Sequence, residues 1–261
     1  MADFFDQICE VLAENGKKYP GQLTANRDVE QFFAAVPLPP PLPQAAAETL
    51  SQPSGKAGTP APAASPHVKA AVSDKRFSDL QTLAESVTGC RNCPLCSRRQ
   101  NVVFGEGDPD ARLMFIGEAP GYEEDIQGRP FVGAAGKLLD KMIKAMQFTR
   151  EEVYIANIIK CRPPENRTPA PDEISRCIPF LYQQIRLIRP EVIICLGATA
   201  AKALLNTPNG ISRLRGKWCS FENIPVMPTF HPAFLLRQET AKRDAWNDLK
   251  LVISFLAKGS R

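Results

Sequence analysis

Cysteines carry the first chemical signal in this sequence. Cys90-Arg91-Asn92-Cys93 is a C-x-x-C pair, and Cys161 and Cys177 form a second pair with fifteen residues between them. Two adjacent ligands and two remote ones can enclose a metal centre with four thiolates. Zinc and the irons of a cubane cluster are both tetrahedral and both take thiolates, so the spacing leaves zinc and iron–sulfur open. Cys93-Pro94-Leu95-Cys96 is an overlapping C-x-x-C and adds Cys96 to the candidates. Cys9, Cys195 and Cys219 read as a tail thiol, a strand core residue and a lone thiol.

A second signal is rich in glycine. Gly117-Glu118-Ala119-Pro120-Gly121 follows the apolar run Leu113–Ile116, and Gly128-Arg129-Pro130-Phe131-Val132-Gly133-Ala134-Ala135-Gly136 comes a few residues on. Turns of this kind let backbone N–H groups approach a flat polar ligand, while Phe131 offers a stacking face. No G-x-G-x-x-G follows a strand, so a dinucleotide-dependent oxidoreductase is a poor fit. Of the two histidines, only His231 lies outside the low-complexity region around His67, and it opens the turn His231-Pro232-Ala233.

These turns need a frame, and the apolar pattern supplies it. Leu80, Leu83 and Val87 recur at helical spacing in a packed region that begins near Phe77. Short apolar runs at 113–116, 153–156, 192–196 and 226–230 then alternate with helical patterns at 138–146, 171–188, 198–205 and 246–256. Continuous apolar strands between helices predict a mainly parallel central sheet covered on both faces, a three-layer α/β/α sandwich. Ligands of such sheets sit beyond the carboxyl ends of the strands.

Upstream, nine of the 24 prolines fall between Pro37 and Pro66, among Ala, Ser and Thr. Such a stretch buries too little apolar surface to offset its ordering entropy. The predicted organisation is an N-terminal segment over 1–35 with a short amphipathic helix through Phe4, Phe5, Ile8, Val11 and Leu12, a disordered Pro/Ala-rich linker over 36–75, and the folded body over 76–261. Residues 1–75 carry 6 basic and 8 acidic side chains and residues 76–261 carry 26 and 20, so the body is the basic part and suits a polyanion. No apolar window of about 18 residues and no secretory leader are present, so no membrane contact and a cytoplasmic location with reduced thiols are expected.

Five segments in order, VVFGEGDPDA (102–111), GEAPG (117–121), GRPFVG (128–133), NIIKCRPPENR (157–167) and FHPAFLLR (230–237), closely resemble family 4 uracil-DNA glycosylases, the iron–sulfur branch of the uracil-DNA glycosylase superfamily. The resemblance covers roughly Leu83 to Leu256, with the four cysteines interleaved at family spacing. It implies a DNA repair enzyme that flips uracil out of single- or double-stranded DNA and hydrolyses its N-glycosidic bond, leaving an abasic site. It also implies a 4Fe-4S cluster on Cys90, Cys93, Cys161 and Cys177, with Cys96 a bystander and the cluster structural.

By the same resemblance Phe131 stacks on the flipped base, Asn157 reads its N3 and O4 edge, and His231 and backbone N–H groups near Glu118 hydrogen-bond O2. Glu124 matches the position of the water-holding carboxylate, while Ala119 stands where other branches of the superfamily carry an Asp or Asn. That alanine motivates a rival reading, a uracil-DNA binding protein with little or no turnover. Arg162, Arg167, Arg213, Arg215 and Lys217 are expected on DNA phosphates, and Leu235, Leu236 or Arg237 in the gap left by the base. A monomer is expected, with residues 1–35 either docking a replication or repair protein through Phe4, Phe5 or Gln31-Phe32-Phe33 or packing on the body.

Overall fold

Runs that are apolar at every position become the inner strands of one mixed sheet. A computed structural model describes residues 66–258, with side chains from residue 75 onward. Its strands are β1 (Glu106–Gly107), β2 (Leu113–Gly117), β3 (Tyr154–Asn157), β4 (Val192–Leu196), β5 (Cys219–Phe221) and β6 (Ile224–Thr229), in the order β1-β3-β2-β4-β6-β5. β3, β2, β4 and β6 run parallel, with β1 and β5 antiparallel on the two edges. The α-helices are α1 (Pro66–Thr88), α2 (Tyr122–Gln127), α3 (Ala134–Ala145), α4 (Pro171–Ile188), α5 (Ala198–Leu205), α6 (Ile211–Leu214), α7 (Pro232–Arg237) and α8 (Lys242–Lys258).

Successive side chains of β2 point to opposite faces. Leu113 and Phe115 enter a core with Leu139 and Met142 of α3 and Trp246 and Leu249 of α8. Met114 and Ile116 enter a second core with Leu181 and Ile185 of α4 and Ala200 and Leu204 of α5. β2 and β4 are buried along their whole length, which is why they show no polar alternation. This is the three-layer α/β/α sandwich that the pattern predicts.

The edges and the N-terminal boundary differ from expectation. β1 and β5 hold two and three residues, too few to register as a period. The β5–β6 hairpin turns through Glu222 and Asn223, both at positive φ, without the Asn-Gly pair that flags such turns. α1 starts at Pro66, so residues 66–75, predicted as the end of a linker, are helical. Leu80, Leu83 and Val87 are buried as expected, but Phe77 is 59% exposed. The predicted helix through Phe4–Leu12 and the linker up to residue 65 lie outside the described residues. Among the described residues no helix is long and apolar enough to cross a membrane.

Candidate active site

Parallel strands deliver their carboxyl ends to one edge of the sheet. Here β2 ends in Gly117, β3 in Asn157, and β6 leads into Phe230-His231. Gly117 and Asn157 are register partners, and Ile158 N–H donates to the Gly117 carbonyl at 2.9 Å. A Cβ on Gly117 would collide with both Asn157 Oδ1 and Phe131 Cζ, so only glycine lets the amide and the ring meet at this point. Asn157 is buried, and its Oδ1 has no hydrogen-bond partner. A buried acceptor left open costs roughly 1–3 kcal/mol.

Phe131 is buried with φ of 50°, in the left-handed region that bulky residues avoid. Two features hold it there. Gly136, in the first turn of α3, leaves room for the Phe131 carbonyl, which a Cβ would strike. Arg150 donates to the Phe131 carbonyl through Nη1 at 3.3 Å and to the Pro130 carbonyl through Nη2. The same guanidinium pairs with Asp140 at 2.8 Å and with Glu106 at 3.5 Å. Glu106 also takes two bonds from Arg129, at 2.7 and 2.6 Å. The Arg129 bonds, aided by Arg150, outweigh burial and hold the Glu106 carboxyl below the usual carboxylate range.

His231 lies with its ring centroid 5.6 Å from that of Phe131. It caps α7, its Nδ1 accepting from Ala233 N–H at 3.1 Å. Burial, aided by the charge of Arg237 and opposed by Glu124, pushes its pKa down to about 4. The ring is therefore neutral at pH 7, and with Nδ1 occupied as acceptor the proton sits on Nε2.

Glu124 is bonded on both oxygens. Oε2 accepts from Gly121 N–H at 3.1 Å, and Oε1 accepts from Val132 and Gly133 N–H, both at 2.9 Å. One carboxylate ties the turn after β2 to the turn around Phe131, and three of its roughly four acceptor sites are used. Its neighbour Asp125 is buried and accepts from the N–H groups of Gln100 and Asn101 at 2.9 and 3.2 Å. Glu118 and Ala119 are half-buried beside Gly117, and the Glu118 carbonyl accepts from Ile159 N–H at 3.3 Å.

On the far side of residues 157–161, Cys90, Cys93, Cys96, Cys161 and Cys177 line one recess, together with Arg99, Lys160 and Arg176. All described cysteines are free thiols. Among the described residues no three His, Cys, Asp or Glu side chains form a group that could hold a single metal ion. Arg99 Nη1 donates to Cys161 Sγ at 3.2 Å and Lys160 N–H to Cys177 Sγ at 3.3 Å. Burial pushes the Cys177 thiol up to about 11 against the attraction of Lys160, so ligation there needs a positive centre able to displace the proton.

The sequence profile of the Uracil DNA glycosylase superfamily matches residues 104–250, which include Phe131, Asn157 and His231. The chain is 44% identical over 185 residues to the type-4 uracil-DNA glycosylase of Thermotoga maritima, covering 69% of this chain and 95% of that protein. The chain belongs to the type-4 uracil-DNA glycosylases. The enzyme of Archaeoglobus fulgidus is 40% identical over 184 residues, 67% of this chain and 92% of its own length. That of Sulfurisphaera tokodaii is 44% identical over 185 residues, 67% and 84%. Membership makes the protein a hydrolase of N-glycosyl bonds that acts on DNA.

The expected DNA contacts of this glycosylase divide in two. Arg213, Lys217 and Arg237 are exposed, and Arg162 lies with its guanidinium 5.0 Å from the Tyr122 ring centre while bonding Asn166 Oδ1 at 2.7 Å. Arg215 is otherwise engaged: it makes two bonds to Asp248 at 3.1 and 2.7 Å and stacks over Phe230. Arg167 spends its charge on Glu173 through bonds of 2.8 and 2.6 Å. Leu235 is fully buried in the core, whereas its neighbour Leu236 is 46% exposed. A six-residue helix after the His-Pro turn rotates the first leucine inward and the second outward.

Sequence reading missed two basic residues of the glycosylase site. Arg150 gives no local sign, because its partners Pro130 and Phe131 are about twenty residues away. Lys160 does leave a trace, a charge inside the apolar run Ile158-Ile159-Lys160-Cys161.

Proposed function

We propose that this glycosylase extrudes uracil from single- or double-stranded DNA into the pocket at Gly117, hydrolyses the bond between N1 and the sugar C1′, and leaves an abasic site. The observation that carries this reading is the open acceptor of Asn157, buried beside an aromatic ring and a neutral imidazole. Uracil N3–H satisfies Oδ1 while the amide Nδ2 donates to O4, and Phe131 stacks on the base. His231 donates from Nε2 to O2, joined by backbone N–H groups near Glu118.

As the bond breaks, its electron pair goes to the base and negative charge builds on O2. A donor that is neutral and already in place stabilises this charge without rearrangement, worth roughly 3 kcal/mol per donor in measured cases. The sugar becomes oxocarbenium-like, water adds at C1′, and the released proton reaches the departing uracil through solvent. The water-holding part of Glu124 rests on its one remaining acceptor site. Its three backbone bonds give it a second part as brace of the two loops. With Ala119 in the first motif, the task falls to Glu124. Arg162, Arg213, Lys217 and Arg237 meet phosphates, and Leu236 takes the gap-filling part.

Cys90, Cys93, Cys161 and Cys177 hold a 4Fe-4S cluster in this reading. Cationic neighbours and N–H donors to sulfur suit a cluster that is negative overall. When bound, the cluster supplies bracing and no bond cleavage, since four thiolates leave no open position. The test is to incubate the full chain with uracil-containing single- and double-stranded oligonucleotides. Alkali-labile sites and a broad absorption near about 400 nm are expected. Intact chromophore without cleavage would overturn the pocket assignment, and an SDS-resistant adduct would point to trapping instead.

A further inference from the structure

Lys160 lies between the two sites and is buried. Its Nζ donates to the Asn157 carbonyl at 2.9 Å and to Gln184 Oε1 at 2.6 Å. Gln184 is fixed in turn, its Nε2 donating to the Phe104 carbonyl at 3.0 Å and to the Tyr154 hydroxyl at 3.2 Å. The Phe104 ring centre is 5.9 Å from the ammonium. Both oxygen acceptors are neutral, and among the described residues no carboxylate pairs with Lys160. A buried ammonium without a counter-charge is costly, and folds retain one where something negative stands nearby. The negative charge on offer is on the other side. Lys160 lines the thiol recess, and its backbone N–H bonds Cys177 Sγ.

We propose that Lys160 is a positioning residue with two attachments: its ammonium is the counter-charge of the four-thiolate cluster, and through the Asn157 carbonyl it sets the amide that reads the base. The pocket is then coupled to the cluster without any redox step in catalysis. A cluster that is lost or oxidised changes the field on Lys160, loosens the Asn157 strand end and weakens recognition of uracil. The link rests on the cluster reading above but adds to it a residue that touches neither substrate nor iron.

The test uses the full chain in its cluster-loaded form, with Lys160→Met to remove the charge and Gln184→Glu to give the ammonium a carboxylate of its own. Two readouts are taken: the reduction potential and chelator-induced bleaching of the chromophore, and inhibition by free uracil. Both variants are expected to show a lower reduction potential and faster bleaching, because a positive charge beside the cluster is removed or neutralised. Lys160→Met should also raise the uracil inhibition constant roughly tenfold, as loss of one hydrogen bond to the strand end predicts. Unchanged potential and bleaching in Gln184→Glu would overturn the counter-charge, even if Lys160→Met does not fold. A shifted cluster with unchanged uracil inhibition in Lys160→Met would overturn the coupling. Failure of the parent protein to show any chromophore would sink the cluster reading first and this link with it.

Discussion

The pocket and the recess share one strand end but are built on opposite electrostatic plans. Around the base-binding pocket charge is removed: His231 is held neutral, Glu124 is tied up by three backbone donors, and reading falls to an amide. Around the recess charge is concentrated, with Arg99, Lys160 and Arg176 facing five thiols. A neutral base with a fixed donor and acceptor edge is read by groups of matching shape, and a permanent charge there would favour water over uracil. A cluster of iron, sulfide and thiolate is recognised by field instead, so cations and N–H donors suffice. One edge of a parallel sheet can host both because the short segment from Asn157 leads from the pocket to Lys160 and Cys161, which line the recess.

The largest expected effects break one region at a time. Cys161→Ala should abolish the chromophore and lower thermal stability, since metal-binding energy in such sites is folding energy. Cys96→Ala should keep both. Spectra and melting curves decide this, and loss of the chromophore in Cys96→Ala with retention in Cys90→Ala would exchange the two residues. On the pocket side, His231→Ala and Asn157→Ala should each lower kcat/KM by roughly 100-fold or more, the loss seen when a preorganised donor is deleted, with the absorption spectrum unchanged. Normal turnover in both would dismantle the pocket.

How much of this could be read in advance follows the same division. Elements with a strong period were legible: the strand runs at 113–116 and 192–196 and the long helix from Pro171 to Ile188 fall where the pattern puts them. Phe131, Asn157 and His231 could be named because motifs mark them, and the geometry then brings them to one place. What resisted reading was partnership at long range. Arg215 and Arg167 looked like free cations because Asp248 is 33 residues away and the Glu173 partner opens a helix. Leu235 and Leu236 are equivalent as letters and opposite in space, since a one-residue step turns a helix by about 100°. Arg150 and Lys160 act on carbonyls, which no side-chain pattern advertises.

A smaller effect sharpens the claim that the aromatic side of the pocket is held under strain. Phe131→Ala should weaken capture of the flipped base by roughly 1–3 kcal/mol, the range found for stacking on single strands. Arg150→Lys keeps the charge but lacks the fork that spans two carbonyls. It should show part of that loss, because Phe131 can then relax from its φ of 50°. Fluorescence of 2-aminopurine placed beside the uracil reports both variants on one scale. Full binding in Arg150→Lys would mean that Gly136 and the packing around the ring hold Phe131 without the clamp.

The smallest effect tests whether the pocket is neutral by construction. The native pKa of His231 is pushed from 6.5 down to about 4, chiefly by burial. Between those values the unfolded chain binds more protons than the native one, so this group's contribution to stability is complete above pH 6.5 and is lost as pH falls toward 4. Asp248 works the other way: burial, opposed by the Thr229 hydroxyl and Arg215, lifts its pKa from 3.8 to about 6. The native state then holds the extra proton, and stability falls as pH rises through that window. In the parent protein the two slopes oppose each other and mask one another. His231→Ala removes only the first, so in urea titrations the stability gap between parent and variant should widen from pH 4 to pH 6.5 and stay level above it. A gap independent of pH would mean that the imidazole protonates as it does in water, and that burial does not hold His231 neutral.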